Sequence, residues 1–100
     1  MLQQERRGER RYPVRQPAVV RIPNENREIA TVTENLSNGG MLLRSDAEIP
    51  ANSRIEIDLL LPAGPRVNGA GEVLRIEQPY RSGPFLIAIR CDVPWAIQAK

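Results

Sequence analysis

The sequence contains no histidine and a single cysteine, and each shortage removes a class of chemistry. Histidine is the commonest acid–base residue and metal ligand in proteins, so this chain lacks the residue on which most catalytic and metal centres depend. Cys91 alone can neither form an intrachain disulfide nor build a zinc site. We therefore expect no enzyme, no bound metal and no cofactor, in a chain suited to a reducing compartment such as the cytoplasm.

Aromatic residues and long apolar runs are also scarce. Aromatics make up 4% of the 100 residues and hydrophobic residues 41%, which indicates one soluble domain with an aliphatic core. The longest apolar runs, over 59–61 and 85–89, fall far short of the roughly 20 residues that cross a bilayer. Residues 1–12 carry charges but no apolar stretch, so we expect neither a secretory signal nor a membrane-spanning segment.

Lysine is almost absent, because thirteen of the fourteen basic residues are arginine. Five arginines against two glutamates give residues 1–15 a charge of +3, and the rest of the chain carries −1. A guanidinium can fork onto a phosphate or a purine edge and stack on a base, whereas an ammonium acts as a point charge. We interpret residues 1–12 as a flexible basic arm ahead of a single domain over 13–100. Composition bias explains the scattered arginines equally well, but not the cluster.

The sequence is rich in the alternation of apolar and polar side chains that is typical of β-strands. The clearest case is 54–61, where Ile55, Ile57 and Leu59 are predicted to face inward and Arg54 and Asp58 outward. Similar patterns predict six strands, over 16–22, 28–36, 41–45, 54–61, 67–77 and 85–91. Turn residues separate them at regular spacing and no segment has a helical period, so the sequence predicts an all-β barrel or sandwich.

Two of these strands carry further expectations. Alternation in residues 28–36 places Ala30, Val32 and Leu36 on one face and, on the other, Ile29, Thr31, Thr33 and Asn35. In the fifth strand, Gly69 and Gly71 predict a bulge or a sharp bend.

Two short motifs remain as candidates for function. Arg11 and Arg15 form an Arg-x-x-x-Arg pattern, although this spacing arises readily in an arginine-rich chain. The second motif, Asn35-x-Ser37-x-x-Gly40, closes a predicted strand. Asn35 and Ser37 are two residues apart, so their side chains leave the same face, which we take as the outer one. Gly40 permits a close backbone approach, although ordinary hairpin turns use the same residue types.

Together the two motifs resemble those of PilZ domains, which carry an Arg-x-x-x-Arg element followed by [Asp/Asn]-x-Ser-x-x-Gly. The resemblance covers about residues 9–91. It implies a six-stranded antiparallel β-barrel that binds the bacterial second messenger cyclic di-GMP on its outer surface. The ligand-binding residues that it implies are Arg10, Arg11, Arg15, Asn35, Ser37, Gly39 and Gly40.

The resemblance also implies roles for these residues. Arg11 and Arg15 would engage phosphate and guanine, and the Asn-x-Ser-x-x-Gly motif would line the guanine pocket. Arg10 occupies a position where, in this family, an arginine accompanies binding of a stacked pair of ligand molecules. The chemistry agrees, because guanine O6 and N7 form the acceptor pair that an arginine fork matches.

An arm that orders on binding would couple the ligand to a change of shape at the N-terminus. The output would then pass to a protein partner, to a fused effector or to a second copy in a homodimer. Two other functions stay open: a PilZ-like interaction module that does not bind the nucleotide, and a small nucleic-acid-binding barrel. Residues 16–100 are net negative and poor in aromatics, so we expect no DNA or RNA partner.

Overall fold

The computed structural model describes residues 13–37, 39–61, 64 and 66–92, and most of these residues lie in β-strands. The strands are β1 Pro17–Ile22, β2 Arg27–Ser37, β3 Gly40–Ser45, β4 Arg54–Leu60, β5 Arg66–Glu77 and β6 Phe85–Cys91. A 3-10 turn, Pro23–Glu25, joins β1 to β2. The predicted basic arm, residues 1–12, lies outside the described residues.

The six strands pair antiparallel and close on themselves in the order β1-β2-β3-β6-β5-β4. Closure runs through β1, which pairs with β2 on one side and with β4 on the other. The β2–β3 hairpin lies against β6, because β3 pairs with β6 along its whole length. The predicted all-β, six-stranded antiparallel barrel is therefore confirmed.

Alternate side chains from the strands fill the barrel interior with aliphatic groups. Leu43, Ile57 and Ile87 are each 0% exposed. Burying such a side chain contributes about 1.5–3 kcal/mol, so the aliphatic core that the composition predicted is the main source of stability. β4 follows its predicted alternation, with Ile55 and Ile57 inside and Arg54 outside.

A β-bulge interrupts β2 just before its end. The register of β2 against β3 shifts between Thr33 and Asn35, so Glu34 is the extra residue. Thr33 is buried before the bulge, and Leu36 is buried after it. The predicted single face from Ala30 to Leu36 is therefore wrong, because the extra residue reverses the alternation. The same reversal places Asn35 on the outer face.

The bulge of β5 does not lie at the predicted glycines, Gly69 and Gly71. The register of β5 against β6 shifts instead between Val73 and Arg75. Leu74, the extra residue, is 47% exposed on the outside of the barrel. Gly71 has the other role that glycine takes in strands, which is to admit a neighbouring backbone at close range.

A methyl group at Gly71 would collide with β6. The added Cβ would lie 2.4 Å from the carbonyl oxygen of Arg90. Backbone atoms cannot move aside as a flexible side chain can, so we expect Gly71→Ala to lower the free energy of unfolding by about 1–3 kcal/mol. Urea denaturation measures the change. Gly83→Ala is the control, because its Cβ would meet only the exposed Tyr80 side chain, at 3.2 Å. Equal losses in both variants would contradict the close approach.

A charged cluster covers the outer face where β1, β4 and β5 meet. Arg21 Nη1 donates to Asp58 Oδ2 at 2.9 Å, and its Nε donates to Glu56 Oε1 at 3.3 Å. Asn68 also donates to Asp58. Asp58 thus points outward, as the sequence predicts, but is only 7% exposed. The hydrogen bond from Arg21 holds the pKa of the Asp58 carboxyl below its ordinary value.

This pKa shift makes the stability depend on pH. The unfolded Asp58 titrates near 3.9 and the folded one below that, so its carboxylate stabilises the fold above pH 3.9. The contribution is lost as the pH falls through the folded pKa. We therefore expect Asp58→Asn to melt below the wild type at pH 7 and the gap to narrow below pH 3.9. Thermal denaturation from pH 2.5 to 7 checks this, with Asp46→Asn in an exposed loop as control. A gap that is constant with pH would contradict the expectation.

Candidate functional site

A cleft of about 440 Å³ opens on the barrel surface where the β2–β3 hairpin meets β5 and β6. The predicted residues Asn35, Ser37, Gly39 and Gly40 all line it. The barrel therefore brings this motif to a concave surface of a size that small-molecule sites typically have.

The hairpin end is fixed by local contacts. Ser37 faces Gly40 in the last pair of the β2–β3 ladder, and its hydroxyl donates to the Gly40 carbonyl oxygen at 3.4 Å. The backbone N–H of Cys91 donates to the Gly39 carbonyl oxygen at 2.9 Å, which ties the turn to the end of β6. Ser37 lies on the same outer face as Asn35, as predicted, yet it is only 1% exposed. Its hydroxyl therefore belongs to the cleft wall.

Gly40 is required by packing at this point. A Cβ on Gly40 would lie 2.2 Å from the carbonyl oxygen of Ile89, because β3 and β6 approach closely here. The close backbone approach that the sequence predicts at Gly40 is therefore a contact between two strands of the barrel, β3 and β6. A side chain at this position would disturb both the barrel and the cleft.

The remaining part of the cleft comes from residues that the sequence analysis did not identify. Leu42, Leu74 and Ala88 form an apolar part of its lining, and Arg75 and Arg90 add guanidinium groups. Leu42 could have been identified from the sequence, because it is an apolar residue on the outer face of a short strand. Leu74 could not have been identified in this way, because its exposure depends on the β5 bulge.

Arg75 and Arg90 each have a glutamate partner next to the cleft. Arg75 Nε lies 3.1 Å from Glu77 Oε2, and Arg90 Nη2 lies 2.8 Å from Glu72 Oε1. Both arginine side chains are 63% exposed. Exposed pairs of this kind are weak, so both guanidinium groups can turn toward a ligand at small cost.

Thr33 fixes the segment that carries Arg15. The Thr33 hydroxyl donates to the Val14 carbonyl oxygen at 2.5 Å and accepts from the Gln16 backbone N–H at 2.9 Å. Its backbone N–H also donates to the Gln16 carbonyl oxygen at 2.9 Å. Three hydrogen bonds therefore hold residues 14–16 against β2, immediately before the bulge.

This anchoring brings Arg15 beside the cleft. Arg15 Nη2 lies 3.3 Å from Glu34 Oε1, and Glu34 is the neighbour of Asn35. The Arg15 side chain is 66% exposed, so most of its guanidinium faces solvent. Of the three predicted arginines, the structure thus brings Arg15 to the motif. Arg10 and Arg11 lie outside the described residues.

The site combines a polar wall, an apolar patch and several guanidinium groups, which suits a planar, polar and anionic ligand. In the described part of the chain, no His, Cys, Asp or Glu side chains form a group of three or more that could hold a metal. Over the same residues, no helix is long and apolar enough to cross a membrane.

Comparisons with known proteins agree with this fold. The family model of the PilZ domain matches residues 4–97. A search of curated proteins gives no significant match. Among solved structures, the inhibitor of motility MotI/DgrA of Bacillus subtilis is similar in fold, with a TM-score of 0.73 and 17% sequence identity. The match covers 88% of this chain and 43% of that one, so the chain spans less than half of the longer protein. This chain belongs to the PilZ domain family.

Proposed function

We propose that the chain is a receptor for cyclic di-GMP, which binds in the cleft between the β2–β3 hairpin and strands β5 and β6. PilZ domains are generally receptors for this dinucleotide. The observation that carries the proposal is that Arg15 lies beside the cleft that Asn35 and Ser37 line, although the arginine is distant from them in sequence. One arginine of the first motif thus lies close to the second motif.

The polar wall suits a guanine edge. The Asn35 side chain is half-buried at the cleft and carries both a carbonyl acceptor and an amide donor. A guanine presents N–H donors beside the O6 acceptor, so the amide can satisfy both kinds of group without placing a full charge in the cleft. Leu42 and Ala88 provide an apolar surface for the face of the base.

The guanidinium groups suit the rest of the ligand. Cyclic di-GMP carries two phosphates, and guanidinium forms short, charge-assisted hydrogen bonds to phosphate oxygens. Arg15, which precedes β1, contacts Glu34 beside the cleft residue Asn35, whereas Arg75 and Arg90 line the cleft on β5 and β6. We assign phosphate or guanine O6 and N7 to Arg15 and Arg11, and contact with a second, stacked ligand molecule to Arg10.

Binding would be coupled to the N-terminal arm. Residues 14–16 are hydrogen-bonded to β2, so a ligand that captures Arg15 would bind at a fixed point of the chain, close in sequence to the arm. Ordering of that arm would signal to a protein partner, a fused effector or a second copy of the chain. A receptor of this kind works as a non-enzymatic domain in the bacterial cytoplasm, where the messenger is made.

Titration of the protein with cyclic di-GMP tests the proposal directly. We expect saturable binding by calorimetry at micromolar protein, and much weaker binding of GTP and of a short RNA. Failure to bind the dinucleotide would overturn the proposal in favour of an interaction module that docks a partner through its outer face. Preference for RNA would favour a nucleic-acid-binding barrel.

Replacement of Arg15 tests the assignment of the site. One well-placed bidentate arginine contributes roughly 1–3 kcal/mol, so Arg15→Ala is expected to weaken cyclic di-GMP binding at least tenfold. Arg27→Ala is the matched control, because Arg27 is an exposed arginine paired with Glu25 outside the cleft. Unchanged affinity in Arg15→Ala, or an equal loss in both variants, would show that Arg15 does not contact the ligand.

A further inference from the structure

We propose that Glu34 is an internal counterion that holds Arg15 when no ligand is bound, and that Arg44 neutralises Glu34 when the ligand takes Arg15 away. The inference rests on the proposed function. Glu34 lies between the two arginines, with Oε1 3.3 Å from Arg15 Nη2 and Oε2 2.5 Å from Arg44 Nη2. One carboxylate thus serves two guanidinium groups at the edge of the candidate site.

The two ion pairs differ in exposure and in geometry. The Arg44 contact is shorter, and the Oε2 atom that makes it is shielded from solvent, but the contact lacks the geometry of a hydrogen bond. Arg15, in contrast, donates a hydrogen bond to Oε1. Arg44 also lies within β3, where it pairs with Val32 on one side and Leu86 on the other. Arg15 is more exposed, at 66% against 46%, and its contact is longer. Because Arg44 is the less exposed arginine and lies within a strand, we take it as the permanent partner of Glu34 and Arg15 as the exchangeable one.

The geometry makes Glu34 a competitor of the ligand. A phosphate that binds Arg15 must replace the Glu34 carboxylate as the counterion of that arginine. The displaced carboxylate stays nearby and repels the phosphate. Arg44 lowers this repulsion, since it stays on Glu34 after Arg15 has left. Glu34 therefore raises the ligand concentration at which the receptor responds, and Arg44 limits that increase.

Removal of the Glu34 charge tests the competition. Glu34→Gln keeps the shape of the side chain, and we expect it to tighten cyclic di-GMP binding about two- to fivefold. Glu28→Gln is the matched control, because it removes the same charge from an exposed position at the other end of β2. If the wild type binds but both variants bind alike, the inference is wrong and the proposed function stands. If the wild type binds no cyclic di-GMP, the proposed function fails, and this inference fails with it.

A double-mutant cycle tests the role of Arg44. Arg44→Ala is expected to weaken binding in the wild-type background, because Glu34 then keeps Arg15 as its remaining partner. In the Glu34→Gln background the same change is expected to have little effect, since no carboxylate remains to be neutralised. Equal weakening in both backgrounds would mean that Arg44 contacts the ligand itself, and the proposed role would be wrong.

The ligand-free protein offers a readout that does not involve affinity. Nitrogen-15 relaxation of the Arg15 side chain should show a more mobile guanidinium in Glu34→Gln than in the wild type or in Glu28→Gln. Equal mobility in all three proteins would overturn the view that Glu34 holds Arg15.

Discussion

The extra residue at Glu34 sets the geometry of the whole candidate site. In a regular strand, Asn35 would share a face with Thr33, whose side chain points into the barrel. The bulge reverses the alternation, so that Leu36 enters the core while Asn35 and Ser37 take the outer face. A barrel without this bulge would bury the amide and leave the leucine in solvent. The hydrophobic core and the cleft are therefore specified by the same local irregularity.

The residues on either side of the bulge connect it to the N-terminal segment. Thr33 points inward and uses its hydroxyl and its backbone to hold residues 14–16, whereas Glu34 reaches outward to Arg15. The chain is thus fixed by partly buried hydrogen bonds at its backbone and by an exposed ion pair at its arginine. Buried hydrogen bonds are costly to break and exposed ion pairs are cheap. The backbone at Arg15 can stay in place while the guanidinium changes partner.

The sequence predicted the six strands because strand alternation is a local signal that each strand carries by itself, whereas their closure into a barrel was implied by the family resemblance. The motif residues at 35, 37, 39 and 40 were found for a similar reason, since they lie close together at one hairpin. The β2 bulge was missed and the β5 bulge was predicted at the wrong residues, because register is decided by the pairing partner and nothing in the sequence around Glu34 or Leu74 shows the shift. The burial of Asp58 was missed likewise, since it depends on Arg21 from a strand distant in sequence. Local sequence patterns therefore did not show which residues of different strands meet. Such contacts bring Arg75, Arg90 and the apolar lining to the cleft.

A rigid cleft combined with an exchangeable arginine suits a receptor better than a fully preformed site would. Gly40 and Ser37 are fixed by backbone contacts, so the cleft wall loses little conformational entropy when a ligand binds. A site that was preformed throughout would bind tightly but would have nothing left to change. In the proposed mechanism the element that changes partner is Arg15, which lies close in sequence to the arginine-rich arm. In that mechanism, a ligand acts on the N-terminal segment by competing for Arg15. That competition takes place at Glu34, the extra residue that also sets which side chains face the cleft.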